Sequence, residues 1–517
     1  MFQTWQMAYR VGASRLDEEL AEKLLLADND SWRELLQWVQ HHPPSHRDQA
    51  SLLEQTVIQA CQVTEDPRRG QAFAELVEAI AACYRALHQK WAANYLWLLW
   101  LAKIATPEVV DRLVDLWLEL PPDHSLHVAL VFRPLLEPKR REALLRLFPR
   151  ILTGIGHLPS AAVILDLSNY VFRKKLVPQH PAFDRRQELG NILGHLARHL
   201  EYLDERGMEN MSRDQRRKLV DDCVSLGVAL CHALSLMGDR QLAGKLYPVL
   251  ELRHRRLRLE AAYALATLGE EAGRQALIQL AADPGARLRA LAYADELDLL
   301  DQIPEELRTD SARAEAELAS FLAEPTQMGL APHELQLICH RRLYWPGYAE
   351  PVDCWLFRFT YHLTQGDYTN IGMVGPVTHA FAADLTRFDP DDLFAIFAGW
   401  HVEHDEIYQT EVAKLSEPSR HVMERLAGRL AQEGHEQVEP LRMGFFFGER
   451  VLLARSVCGG QAGLALADSD QVHWWPTSMG RGAFGPDEAF AWYAGRKLLA
   501  VFNSPATSQA DHQTETA

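Results

Sequence analysis

The sequence predicts a mainly α-helical chain, an α-solenoid followed by a smaller α+β domain, and three observations carry that prediction. A stretch from about Leu226 to Leu300 repeats itself every 31 residues. Helical patterning also runs from Arg15 to about Asp204, broken by polar and proline-rich segments. Beyond about residue 330 the pattern changes to aromatic, β-favouring runs. A fixed period of roughly 20 to 50 residues marks stacked units, each too thin to bury its own apolar face.

The repeat keeps a constant register. Leu226, Leu257 and Leu288 are 31 apart, as are Gly238 and Gly269, Leu246 and Leu277, and Val249 and Leu280. Within one unit Leu257, Ala261, Leu265 and Leu268 share a helical face, and small neighbours let another helix approach closely. Gly269 then ends the helix, since glycine accepts the left-handed conformation common at helix ends. A second helix, 275–282, aims Leu277 and Leu280 at the same core, and Asp283-Pro284-Gly285 breaks the chain before the next unit. These residues resemble the short HEAT-like repeats of bacterial phycobilin-lyase-type proteins: an Ala-rich first helix, Gly-acidic, a second helix, Asp-Pro, then Leu-Arg. The resemblance covers 226–300 and implies a scaffold, not an activity. Asp295 and Glu296 replace Ala264 and Leu265 in the third unit, as expected where an array ends.

The expected organisation is an irregular helical array over 1–205, HEAT-like repeats over 206–303, a linker with one short helix over 304–331, an α+β domain over 332–502 and a disordered tail over 503–517. In the first part Ser31 reads as an N-cap with Glu34 completing a capping box, and Thr106-Pro107 opens a helix carrying Val110, Leu113, Val114 and Trp117. In the last part Cys354–Leu363 with Tyr368–Val374 reads as one hairpin, and Leu441–Phe447 with Arg450–Val457 as another. Short strands near 464–467 and 472–475 follow. Helices are expected over 390–415, 418–432 and 486–502, the first capped by Asp389 with Pro390 at its first position.

At 517 residues the chain exceeds one ordinary core. Its net charge of −17 argues against indiscriminate binding to nucleic acid or anionic membrane. The charge is uneven. Residues 131–260 hold 23 Lys and Arg against 15 Asp and Glu, a local +8 that leaves −25 for the flanks. Seven scattered cysteines without a close pair fit a reducing compartment, and the first residues lack a secretory pattern, so a cytoplasmic location is expected. The apolar window Trp91–Ala105 is 15 residues long, short of the roughly 20 that span a bilayer, so no membrane partner is expected.

Two residue sets invite a functional reading. His401, Glu403 and His404, with His379 and Asp384 upstream, form the densest group of titratable side chains, and metals take histidine with carboxylate. On a continued helix His401, His404, Asp405 and Tyr408 share a face, although a capped structural helix explains the same residues and the spacing is not HExxH. Arg253, Arg255, Arg256 and Arg258 head the basic clusters of the middle region, which either line a groove for an acidic peptide or nucleic-acid backbone or stay solvated helix surface. Gly480-Arg-Gly482-Ala-Phe-Gly485 matches GxGxxG between a strand and a helix but lacks the following strand and acidic residue of a dinucleotide site, so no cofactor is expected. The leading expectation is a non-enzymatic interaction protein that binds a protein or acidic partner on its solenoid. The alternative is an enzyme, such as a metal-dependent hydrolase, with its site in the C-terminal domain.

Overall fold

The computed structural model describes every residue except 123, 157, 207–211, 478–481 and 505–517, so the expected tail and residues Gly480 and Arg481 of the glycine loop lie largely outside it. The chain divides into two compact units, Met1–Leu277 and Ile278–Ala517. The division falls inside the second helix of a 31-residue repeat.

The first unit is helical. Its helices are α1 (Phe2–Arg10), α2 (Glu18–Leu26), α3 (Asn29–His41), α4 (Arg47–Val63), α5 (Pro67–Phe73), α6 (Val77–Leu87), α7 (Tyr95–Ile104) and α8 (Pro107–Glu119). They continue with α9 (Ser125–Phe132), α10 (Arg141–Ile151), α11 (Leu158–Arg173), α12 (Arg186–Arg206), α13 (Arg213–Met237), α14 (Ala243–Leu250), α15 (Arg255–Thr267) and α16 (Glu271–Leu280). Most helices pack on the next but one. One row runs α2, α4, α7, α9, α11, α13, α15; the other runs α1, α3, α6, α8, α10 and resumes with α12 and α14. The 31-residue repeat falls on α13 to α17, with Leu226, Leu257 and Leu265 buried, Leu288 half-buried, and Gly238 and Gly269 left-handed at φ 69° and 86°. Gly227 and Gly273 allow the close approaches: a Cβ on Gly227 would lie 2.6 Å from Leu257, and one on Gly273 2.4 Å from the Ala266 nitrogen. The cap of α3 is Asp28, which accepts from the Ser31 amide at 2.9 Å, so Ser31 sits inside the first turn instead of capping it.

Charge and polarity are spent on joining helices. Arg85–Glu119 and Arg112–Glu78 join α6 to α8, and Arg146–Asp111 and Arg150–Asp115 join α8 to α10, all partly exposed pairs worth about 0–1 kcal/mol each. Inside, Trp5 Nε1 donates to Thr56 Oγ1 at 2.8 Å and Trp100 Nε1 to Thr64 Oγ1 at 3.0 Å. A third link is a relay. The Ala182 amide donates to His180 Nδ1 at 3.2 Å, His180 Nε2 donates to Asn169 Oδ1 at 2.9 Å, and Asn169 Nδ2 donates to the Ala229 carbonyl at 3.0 Å, joining α11 to α13. The relay needs a neutral ring with its proton on Nε2, and burial holds the His180 pKa down at about 4. The one described helix long and apolar enough to cross a membrane, Asp214–Met237, lies within α13, with 61% of its apolar window buried, packed on α11, α12 and α15.

The second unit begins with α17 (Pro284–Glu296) and α18 (Asp310–Leu322). Buried Arg287 joins them, donating to the carbonyls of Ala281 and Ala312 at 2.9 and 2.8 Å and pairing with Glu315 at 2.5 Å. Two antiparallel meanders follow. The first sheet is β1 (Glu334–Leu343), β2 (Val352–Leu363), β3 (Gly366–Val374) and β4 (His379–Ala380), in that order, followed by α19 (Pro390–His401). The second takes the order β5 (Ile407–Glu411), β6 (His435–Phe446), β7 (Glu449–Cys458), β8 (Gln461–Ala467) and β9 (Val472–Pro476); α20 (Glu417–Gln432) precedes β6 and α21 (Pro486–Phe502) ends the fold.

Alternation along the strands sorts the core. Cys354, Leu356, Ile371 and Met373 of the first sheet, and Val451, Leu453, Leu464 and Leu466 of the second, face α19 and α21 in one shared core. The opposite face of the first sheet packs Phe357, Phe359 and Tyr361 on α18, and that of the second packs Leu452, Ala454 and Ala465 on α20. The layers are therefore helix, sheet, helix pair, sheet, helix. Each half repeats one order: helix, four-stranded meander, helix. The sequence repeats with it, since Phe388-Asp-Pro-Asp-Asp-Leu-Phe-Ala-Ile-Phe-Ala-Gly399 and Phe484-Gly-Pro-Asp-Glu-Ala-Phe-Ala-Trp-Tyr-Ala-Gly495 agree at seven of twelve positions. Equivalent contacts recur: Arg341 of β1 pairs with Asp391, and Arg442 of β6 with Asp487. Phe388 and Phe484 meet at 4.8 Å. At the helix crossing a Cβ on Gly399 would lie 1.9 Å from the Ala491 carbonyl oxygen, and one on Gly495 1.7 Å from that of Ala395. The second unit is a tandem duplication whose halves pair about a local two-fold.

Two outcomes follow. Gly399→Leu and Gly495→Leu each remove the backbone contact, and each is expected to cost more than about 3 kcal/mol, the upper end of ordinary overpacking. Gly428→Leu, at a site with nothing within 4 Å, is the control; urea unfolding that treats all three alike would refute the crossing. His180, with a folded pKa below its unfolded value of about 6.5, favours the neutral fold, so the unfolded state takes the proton more readily. Stability is expected to fall by about 3 kcal/mol as pH drops from 6.5 to 4, and His180→Gln should flatten that slope in denaturation curves.

Candidate functional site

The titratable set of the C-terminal domain is not brought together. The helical pattern that groups His401 with His404, Asp405 and Tyr408 is overridden, because α19 stops at His401 with Val402 extended and Ile407–Glu411 joins β6 as a strand. Pairing of Ile407 with Phe446 and of Tyr408 with Phe445, rings 5.1 Å apart, outweighs helix continuation. His401 Nδ1 accepts from the buried Trp345 indole at 3.1 Å. Glu403 is exposed; His404 Nδ1 accepts from the Glu406 amide at 3.3 Å beside the Phe447 ring. His379 stacks on Trp400 at 3.8 Å with its pKa lowered by burial, and Asp384 accepts from Thr386 in its own turn. Among the described residues no group of three His, Cys, Asp or Glu is placed to hold a metal ion. In the glycine loop, Gly485 caps α21 and its amide donates to Glu488 at 3.0 Å, so that helix start already holds a carboxylate.

The basic middle is largely tied to its own acids and carbonyls. Arg146 and Arg150 are in the α8–α10 pairs, Arg140 donates to the Ala102 carbonyl, Arg186 pairs with Asp239, and Arg216 donates to the Leu203 carbonyl. Arg253, Arg256 and Arg258 meet different neighbours about the start of α15 at Arg255. Arg253 lines a small cleft with Arg198, Glu201 and Glu251, and Arg258 donates to the Leu250 carbonyl at 3.3 Å. Arg256 instead acts on Asp166 of α11, with Arg173 and His232 also near. His232 Nε2 meets the wholly buried Glu260 at 2.6 Å. Asp166 keeps solvent contact, yet protein crowds it closely enough that desolvation pushes its carboxyl above the ordinary range, against the pull of His232, Arg256 and Arg173.

A third place was not singled out by sequence reasoning. The α6–α7 connection (88–94) and Pro122 and His124 between α8 and α9 frame an open cavity of about 910 Å³. Its walls are Tyr84, His88, Trp91, Tyr95, His124 and His127, with Glu54 and Lys90 supplying charge. Tyr95 and His127 stack at 4.0 Å, and His124 meets His127 edge-on at 5.2 Å. Burial and His124 lower the His127 pKa; burial, then Glu54, raises that of Tyr95. Gln89 holds a left-handed φ of 60°, a strain that such loops keep where the surroundings over-determine them. The signal in the sequence was the aromatic and histidine content of two short connections, which the apolar helix Tyr95–Ile104 overshadowed.

No family model matches this sequence, and no curated protein or solved structure matches it.

Because Arg256 pulls the Asp166 carboxyl down, Arg256→Ser is expected to raise its pKa further above the usual carboxylate value. Carbon-detected NMR titration reads this directly; an Asp166 that titrates in the ordinary range in both proteins would dissolve the α11–α15 cluster.

Proposed function

We propose that this chain is a non-enzymatic interaction protein whose first unit, a HEAT-like α-solenoid, binds a protein partner. The observation that carries the reading is next-but-one helix packing in two rows from α1 to α15. That is how stacked helix pairs bury their apolar faces while leaving connections free to vary and to bind. The cavity lies beside two such connections, lined by residues 88–95 with Pro122, His124, Leu126 and His127, and its mixed aromatic and polar lining is what protein recognition uses. The seven free cysteines, five of them buried, suit a cytoplasmic setting. The duplicated second unit, with its helix pair buried between sheets, reads as a compact module in its own right.

Two experiments test this. A photo-crosslinking side chain at exposed Leu26, Leu126, Tyr170 or Tyr202 of the first unit should give a discrete adduct from at least one position in cells. Adducts arising solely from Trp400 and Tyr408 of the second unit would sink the assignment. For the repeat itself, Leu265→Asp puts a charge where the side chain is 0% exposed and should cost several kcal/mol, about 3–5. A thermal midpoint within about a degree or two of the parent, where 1 kcal/mol moves a domain of this size by roughly 2–4 °C, would mean the register is wrong.

A further inference from the structure

The two halves of the second unit differ along one sheet edge. In the second half β5 covers the outer side of β6, with Ile407 opposite Phe446 and Glu411 opposite Arg442, and Arg442 also donates to Gln409 Oε1 at 3.3 Å. In the first half β1, the counterpart of β6, is the outermost strand of its sheet among the described residues. The two edges correspond closely. Arg341 pairs with Asp391 as Arg442 does with Asp487, and four residues further on Trp345 and Phe446 both enter the shared core. The strand register shifts between Leu337 and Cys339 in β1, which leaves 339–343 as a regular edge, as long as the five residues of β5. Its backbone polar groups point outward in alternation. The Tyr344 N–H donates to Asn503 Oδ1 at 2.8 Å and its carbonyl accepts from Asn503 Nδ2 at 3.0 Å, and alternation turns those of Arg342 and His340 the same way.

We propose that β1 accepts a further strand from a partner protein, an extended acidic segment that runs antiparallel to 339–343 and sets carboxylates against Arg341 and Arg342. The precedent lies in the same chain, where β5 is held on β6 by backbone pairing and carries its acid opposite the corresponding arginine. Charge selects the occupant. Exposed Arg342 donates to the Pro351 carbonyl at 3.3 Å and is in no ion pair among the described residues. A second copy laid antiparallel along this edge would set Arg341 and Arg342 against their own counterparts, and like charges across a strand pair destabilise it. The chain's own next residues match the edge poorly. At the 96-residue offset of the duplication, Ser504-Pro505-Ala506-Thr507 stand in sequence where β5 has Tyr408-Gln409-Thr410-Glu411, with a proline that lacks an N–H and no acid for the arginine. The site is independent of what the first unit binds.

The test is fluorescence anisotropy on the full chain at about 50 mM salt, where surface charge is weakly screened, with a labelled peptide copying Asp405–Val412 as probe. The peptide is expected to bind about tenfold more tightly than one in which its three acids are replaced by their amides. Methylating single backbone nitrogens of the peptide separates strand pairing from plain charge attraction. Methyl groups at alternate positions, those facing β1, should weaken binding about tenfold, and those at the positions between should leave it unchanged. Arg342→Glu should weaken the acidic peptide by a similar factor and favour a lysine-substituted one, with the thermal midpoint in place, which locates the peptide on β1 and not on β6. Equal effects of methylation at both sets of positions, binding indifferent to Arg342→Glu, or no binding at millimolar peptide would each overturn the proposal. Binding about tenfold tighter to a chain ending at Ser504 would make the chain's own C-terminal residues the occupant, and a dimer that the peptide dissociates would make it a second copy; either result overturns the assignment to a partner.

Discussion

The contact on which the second unit depends is the crossing of α19 and α21, where glycine of each helix meets a backbone carbonyl of the other. With no room for a Cβ at either position, the helices approach more closely than side chains permit. Each is then thin enough to share one core between two sheets, and residues 393–398 of α19 are buried accordingly. Everything outside follows: the inner strand faces close on the helix pair, and the outer faces are free to take α18 and α20. Arg341 and Arg442 pair with Asp391 and Asp487 at the starts of the two helices, where those acids also suit the helix N-termini.

The first unit solves a different problem, how to keep a long helical array specific when most of its contacts are apolar. Its answer is to place a few polar links between rows and helices that an apolar slip would break. The Trp5–Thr56, Trp100–Thr64 and His180–Asn169 bonds are buried and directional, so a one-turn slide would orphan several donors at once. The exposed ion pairs of α6, α8 and α10 add little stability, but they absorb cations that would otherwise make the middle of the chain a basic surface. Of the 23 cations in the middle region, Arg146 and Arg150 are taken up in this way.

Much of the architecture was legible in the sequence. The 31-residue register, the left-handed glycines, the Asp-Pro stops and both hairpins depend on local chemistry, and the structure puts them where the pattern does. What local chemistry does not decide was misread. Ile407–Glu411 carries a helical apolar rhythm and becomes a strand because β6 offers it a partner 35 residues away. β1 was missed because its edge position fills it with Arg341, Arg342 and His340, residues that edges favour and strand propensity does not. The candidate His and acid residues looked like a cluster since they are close in sequence; once the helix ends at His401, each finds a separate neighbour. The duplication was visible in principle, as Phe-x-Pro-Asp followed by Phe-Ala-x-x-Ala-Gly occurs twice, but its 96-residue spacing lies beyond the periods by which solenoid repeats are sought. The cavity was hidden for another reason: its rings come from two connections that only folding brings side by side.

A pair joined within one polypeptide differs from a pair formed by two identical chains. Two separate copies must carry every substitution twice, and each must meet the other at cellular concentration. Here the tether supplies the partner at high effective concentration, and each copy changes alone. The two halves have used that freedom: Trp400, whose ring stacks on His379, corresponds to Arg496, which lies over Trp492 instead. One side of the pseudo-axis thereby offers an exposed aromatic ring and the other a cation, so a nearly symmetric scaffold presents two chemically distinct sides to whatever approaches it.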